Sequence, residues 1–217
     1  MPVKNRFAEL HNDITAWRRD IHQNPEILFE THRTSALVAD KLREFGCDEV
    51  VEGIGRTGVV GVIKGAATGS GKVIGLRADM DALPIHEQTG LEYASKTDGA
   101  MHACGHDAHV AILMGVAEFL SQNKDQIKGN IVLIFQPAEE GPPEGENGGA
   151  KMMLEEGLFE KYDPEVIFGL HVGNGPHGYV SVVSGPAMAA ASTYRIKVKG
   201  VQAHGSRPWD SIDPVMA

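Results

Sequence analysis

Along THRTSALVADKLREFG, Leu37, Val38, Leu42 and Phe45 recur on one helical face, and Gly46 follows as a stop. Upstream, NRFAELHNDITAWRRDIHQNPE predicts a first helix that ends before Pro25, because a residue preceding proline disfavours helical backbone. After Gly46 the texture changes. DEVVE, GVVGVIKG and KVIGLRADM are short β-branched runs between glycine-rich turns, which predicts strands. HDAHVAILMGVAEFL then places Val110, Leu113, Met114, Ala117 and Leu120 at helical intervals, so it reads as an amphipathic helix. GNIVLIFQ is continuously apolar, as a central strand buried on both faces must be. AKMMLEEGLF predicts a further helix, and PEVIFGLHVG a further buried strand.

Helices alternating with buried strands predict an α/β layered fold, with a mixed, largely parallel sheet flanked by helices. In such folds chemistry gathers where strands end, so the loops after RADMD, IVLIFQ and VIFGLH matter most.

Composition narrows the function. The 217 residues carry 20 basic and 29 acidic side chains, for a net charge of −9, and no basic stripe, so no nucleic-acid partner is expected. Apolar residues make up 42% and charged residues 23%, a globular balance without low-complexity tracts or repeats. No run approaches the roughly 20 apolar residues that cross a bilayer, and MPVKNRFAELHND lacks the apolar core of a signal peptide; a cytoplasmic protein without membrane partners is expected. Cys47 and Cys104 stand far apart in unlike contexts, so no structural disulfide is expected, and Cys47 reads as a small buried apolar residue.

Two glycine-rich stretches imitate phosphate sites and fail on context. GIGRTG, Gly53 to Gly58, leads into a strand instead of opening a helix. AATGSGKV has Ala66 where a P-loop begins with glycine and Val73 where it needs a hydroxyl for magnesium, and so reads as a turn.

The strand ends carry a different chemistry. RADMDALP puts Asp79 and Asp81 on one side of an extended chain. MHACGHDAH brings Cys104 and His106 to the start of a helix, while His102 and His109 read as satisfied structural histidines. QPAEEG sets Glu139 and Glu140 directly after a buried strand, where one can ligate a metal and its neighbour act as a base. GLHVG delivers His171 at the next strand end. Cysteine, histidine and glutamate form a mixed donor set suited to zinc, manganese, cobalt or nickel, and a spare carboxylate beside such an ion suits hydrolysis.

RRDIHQNPEILFETHRTSALV, RADMDALPI, MHACGHDAH, QPAEEG and GLHVG, in this order, resemble the bacterial hippurate hydrolase and N-acyl-amino-acid amidohydrolase family, which includes plant auxin-conjugate hydrolases and belongs to the aminoacylase and carboxypeptidase metalloenzyme clan. The resemblance implies that Cys104, His106, Glu140 and His171 are ligands of a two-metal centre, that Glu139 is the general base and later the proton donor, and that Asp81 orients a ligand. Asp79 stands where many clan members have a ligand histidine. The family pattern also implies a catalytic domain over 1–184 and, over 185–217, the start of an inserted α+β dimerisation domain. There His204 would reach across a homodimer to the oxyanion. The implied substrate is a small N-acyl or N-aroyl amino acid, with a dipeptidase or carboxypeptidase of the same clan, or a catalytically silent relative, as alternatives. Relatives supply a last ligand beyond the position of Ala217, so the chain alone is expected to be inactive, ending where Asp213 and Pro214 open a helix.

Overall fold

The computed structural model describes residues 3–67, 69, 71–190 and 194–216. Thr68 and Ser70 of the AATGSGKV turn, and the first two residues of STYRIKVKG, lie outside the described residues. The chain divides into two compact units, Met1–Asn174 and Gly175–Ala217.

In the first unit, helices α1 (Val3–Gln23) and α2 (His32–Glu44) precede strands β1 (Glu49–Ile54), β2 (Gly58–Lys64) and β3 (Val73–Asp79). Helix α3 (His106–Ser121), strand β4 (Asn130–Gln136), helices α4 (Gly149–Glu155) and α5 (Leu158–Tyr162), and strand β5 (Val166–Gly169) follow. The strands form one sheet in the order β1-β2-β4-β3-β5. β1 with β2 and β2 with β4 pair antiparallel; β3 lies parallel to both β4 and β5. The sheet is therefore mixed, with its parallel half at the β4-β3-β5 end.

β4 is buried on both faces, as its apolar run requires. Ile131, Leu133 and Phe135 enter a cluster with Ile21, Val38, Leu42, Val110 and Met114 of α1, α2 and α3. Val132 and Ile134 enter a second cluster with Met153 and Leu158 of α4 and α5. The chain thus leaves β3 for one face of the sheet and β4 for the other, which opens a crevice at the carboxyl ends of these two strands. Asp79, the last residue of β3, stands in register with Gln136, the last of β4.

Three expectations change. The helix read through AKMMLEEGLF is two helices, broken at Gly157. β5, expected to be buried, has all four residues exposed. It is an edge strand with one partner, β3, and Phe168 is 57% exposed because no described element covers that face. Cys47 is half-buried against the core with its thiol 3.7 Å from Ser121 Oγ; both cysteines are free, as expected.

In the second unit a short 3-10 turn at Pro208–Asp210 and a bridge between Val201 and Ile212 are the regular features among the described residues. Asp213 Oδ1 accepts the Val215 N–H at 2.9 Å, the capping bond expected of it, but the described residues beyond form a turn and no helix.

The turn after β4 is fixed from below. Ala138 adopts φ 45° and donates its N–H to Leu28 O at 3.1 Å, while Gly149 N–H donates to Ala138 O at 3.2 Å. A Cβ on Gly149 would sit 1.8 Å from Pro137 O, so only glycine lets α4 close on this turn. Gly149→Ala is expected to cost about 1–3 kcal/mol, measured by urea unfolding, because the obstructing atom is backbone.

Candidate metal centre

His106 opens α3 at the crevice and is 1% exposed. Its Nδ1–H donates to the Asp81 carbonyl at 2.8 Å, which leaves Nε2 as the lone-pair nitrogen. That Nε2 is buried and has no hydrogen-bond partner among the described residues. Asp79 Oδ2 at 3.6 Å, Glu140 Oε1 at 3.7 Å and Glu139 Oε2 at 3.8 Å surround it, all too far for hydrogen bonds. Glu140 Oε1 is likewise buried and unpartnered. A buried lone pair and a buried carboxylate oxygen turned toward one point are costly unless a cation lies between them.

The sequence-predicted residues converge here. Cys104, His106 and His171 can present one atom each within 4.8 Å of one another, and so can His106, Glu139 and Glu140. His171 donates its Nδ1–H to Val172 O at 2.6 Å, so its Nε2 also carries a lone pair, 3.5 Å from Cys104 Sγ. Asp81 organises the opposite side: Oδ1 accepts the Glu139 N–H at 3.0 Å and Oδ2 the Glu140 N–H at 3.1 Å. One carboxylate therefore holds both glutamates, and its own backbone carbonyl holds His106. His204 belongs to the second unit, where it is exposed and its Nδ1 accepts the Ser206 N–H at 3.2 Å.

The electrostatics suit a cation. Burial, reinforced by Glu140, Glu139 and Asp79, pushes the Cys104 thiol up to about 11. Burial also raises Glu140. For His106, burial opposes the charged ring, but Asp81, Asp79 and Glu140 outweigh it and raise its pKa. This surplus of negative charge is what a divalent ion neutralises, and a thiolate becomes the favoured form beside one. The residues present thus fit such an ion.

Two histidines of MHACGHDAH have different fates. His109 is satisfied, as expected, with both nitrogens bonded. His102 is buried, but neither nitrogen has a hydrogen-bond partner among the described residues, and burial pushes its pKa down to about 4. With Arg18, Cys104, His171 and Asn174 it lines a cleft of about 430 Å³.

An ionic cluster behind the centre escaped the sequence reading. Asp107, fully buried in the first turn of α3, receives Arg18 Nε and His22 Nδ1 from α1, both at 2.7 Å. His22 Nε2 lies 3.3 Å from Glu87 Oε1. RRDIH and HDAH thus meet across 85 residues. Asp107→Ala leaves the buried His22 and the half-buried Arg18 without their shared acceptor and is expected to cost about 2–4 kcal/mol. The Asp107 bond raises the His22 pKa; burial would raise Asp107, but His22 and Arg18 hold it below its ordinary value. The His22 contribution is complete below about pH 6.5 and fades as pH rises through its raised value, whereas that of Asp107 is complete above about pH 4 and fades as pH falls through its lowered one. Urea unfolding of parent and variant should therefore differ most between about pH 4 and 6.5.

The fold is a helix-flanked mixed sheet, and the donor groups at its crevice could hold a metal ion. Residues 75–215 match the model of peptidase family M20/M25/M40, and the chain belongs to that family. It is 48% identical over 215 residues to thermostable carboxypeptidase 1 of Saccharolobus solfataricus, covering 98% of this chain and 53% of that protein. It is also 48% identical over 215 residues to the hippurate hydrolase of Campylobacter jejuni, covering 97% and 53%. Among solved structures it is similar to the Bacillus subtilis YXEP protein, a dinuclear metal binding peptidase from the M20 family, at 42% identity and a TM-score of 0.68, covering 78% of this chain and 45% of that one. The chain spans about half the length of the curated relatives it matches.

Proposed function

We propose that the whole protein is a cytoplasmic amidohydrolase that cleaves the amide bond of N-acyl or N-aroyl amino acids, releasing a carboxylic acid and an amino acid. The observation that carries this reading is the buried, unpartnered His106 Nε2 among a thiol, a second imidazole and two adjacent glutamates. Cys104, His106, Glu140 and His171 would hold a pair of divalent transition ions. When bound, such ions acidify water and polarise the scissile carbonyl.

Glu139 is the base. Its side chain is 40% exposed, against 17% for Glu140, so it is the more open of the two while its neighbour turns inward. Its Oε takes the proton of the attacking water and later gives it to the departing amine nitrogen. Asp81 keeps the two glutamates in these separate roles by holding both backbone amides. Residues up to 184 form part of the catalytic domain; those from 185 begin a dimerisation domain whose His204 serves the oxyanion in a homodimer.

The carboxypeptidase among the similar proteins supports a second reading, cleavage of a C-terminal residue from a peptide. Both reactions need the same proton transfers, so substrate preference separates them. The whole protein, assayed by release of free amino acid, should hydrolyse hippurate-like substrates with a higher kcat/KM than dipeptides bearing a free α-amino group, and a chelator should abolish both activities. A preference for dipeptides would select the second reading, and chelator-resistant turnover would contradict both.

A further inference from the structure

His171 follows an exposed edge strand and is itself exposed. A ligand on so open a segment has to be aimed by something else. Two contacts tie the next residue, Val172, to the start of α3. Val172 Cγ2 fills the space beside Gly105, where a Cβ would meet it at 2.3 Å. The Val172 N–H donates to His109 Nε2 at 2.9 Å.

The second contact fixes a tautomer. Nε2 accepts only when it carries no proton, so the proton of a neutral His109 is on Nδ1, which lies 2.6 Å from Asp79 Oδ1. Asp79 Oδ2 receives Arg77 Nη1 at 2.6 Å, and Arg77 anchors on Gln136 Oε1 through Nε and Nη2, at 3.0 and 2.8 Å. Both Asp79 oxygens are therefore committed to hydrogen bonds within the protein. The side chains are buried, with Asp79 1% and His109 3% exposed, and the His109 ring lies 4.7 Å from the His171 ring.

We propose that Asp79 and His109 are a positioning pair that aims His171: Asp79 sets the tautomer of His109, and His109 holds the backbone of the residue next to the ligand. The pair rests on the reading of His171 as a metal ligand. It gives Asp79 a role without metal contact, although Asp79, His106 and His109 stand close enough to hold an ion together. Asp79→Asn cannot replace the carboxylate. An asparagine turns its NH₂ either toward Arg77, where two donors meet, or toward His109, where it forces the Nε2–H tautomer and expels the Val172 N–H.

The test has two parts. In the metal-free protein, ¹⁵N spectroscopy of the histidine rings should show His109 neutral with the proton on Nδ1; a proton on Nε2 would overturn the proposal. Cobalt(II) titrations then compare two variants. His109→Gln keeps an acceptor near the Nε2 position, whereas His109→Asn keeps a donor toward Asp79 and leaves Val172 unpaired. His109→Asn should weaken cobalt binding about 10–100-fold and His109→Gln by less than about tenfold, with the Cys104 thiolate band present in both. Equal affinities, or a weaker glutamine variant, would overturn the proposal. A His171→Ala variant with unchanged cobalt affinity would overturn the ligand assignment itself, separately from the ring spectra.

Discussion

Glu139→Gln is expected to lower turnover of an N-acyl amino acid by about 10²–10⁴-fold while leaving the metal content of the protein unchanged. The substitution keeps the shape of the side chain and removes only its capacity to take a proton. The Glu139 N–H stays bonded to Asp81, so the path of the turn and the position of Glu140 are retained. Glu140→Gln should behave differently, because Glu140 Oε1 is the buried oxygen turned toward His106, and its loss should release metal. Metal analysis beside steady-state kinetics of the two variants checks this. An exchange of the two phenotypes would reverse the roles of the two glutamates.

The second large effect is expected from His106→Ala. His106 is common to every donor group gathered at the crevice, so its removal takes away the shared residue. Cobalt or zinc affinity should fall more than about 100-fold, beyond the range attributed to partners that only orient ligands. The fold should survive. The ring is bonded to one backbone carbonyl, and the core below it is built from Val110, Met114 and their neighbours on β4. Far-UV circular dichroism alongside a metal titration separates loss of site from loss of structure.

Much of this centre was legible because its geometry follows from local rules. A continuous apolar run such as IVLIF has to lie inside a sheet, so the glutamates after it have to emerge at its edge. The apolar stripe of α3 fixes which way His106 faces, since Val110, Met114 and Ala117 commit the helix to the core. What was illegible depends on partners distant in sequence. VIFG is as apolar as a central strand, and nothing within it reveals that β3 would be its only described neighbour. Asp107 reads as an ordinary acid in a first helical turn until Arg18 and His22 arrive from α1. The pairing of Asp79 with His109 likewise crosses 30 residues, and no spacing rule announces it.

Whether Cys104, His106, Glu140 and His171 together hold metal can be read by X-ray absorption at the edge of bound zinc. Bound zinc should show a sulfur scatterer at about 2.3 Å together with nitrogen and oxygen scatterers at about 2.0–2.2 Å, with the sulfur shell absent in Cys104→Ser. A zinc-loaded protein showing only nitrogen and oxygen neighbours, or keeping its sulfur shell in that variant, would contradict this ligand set.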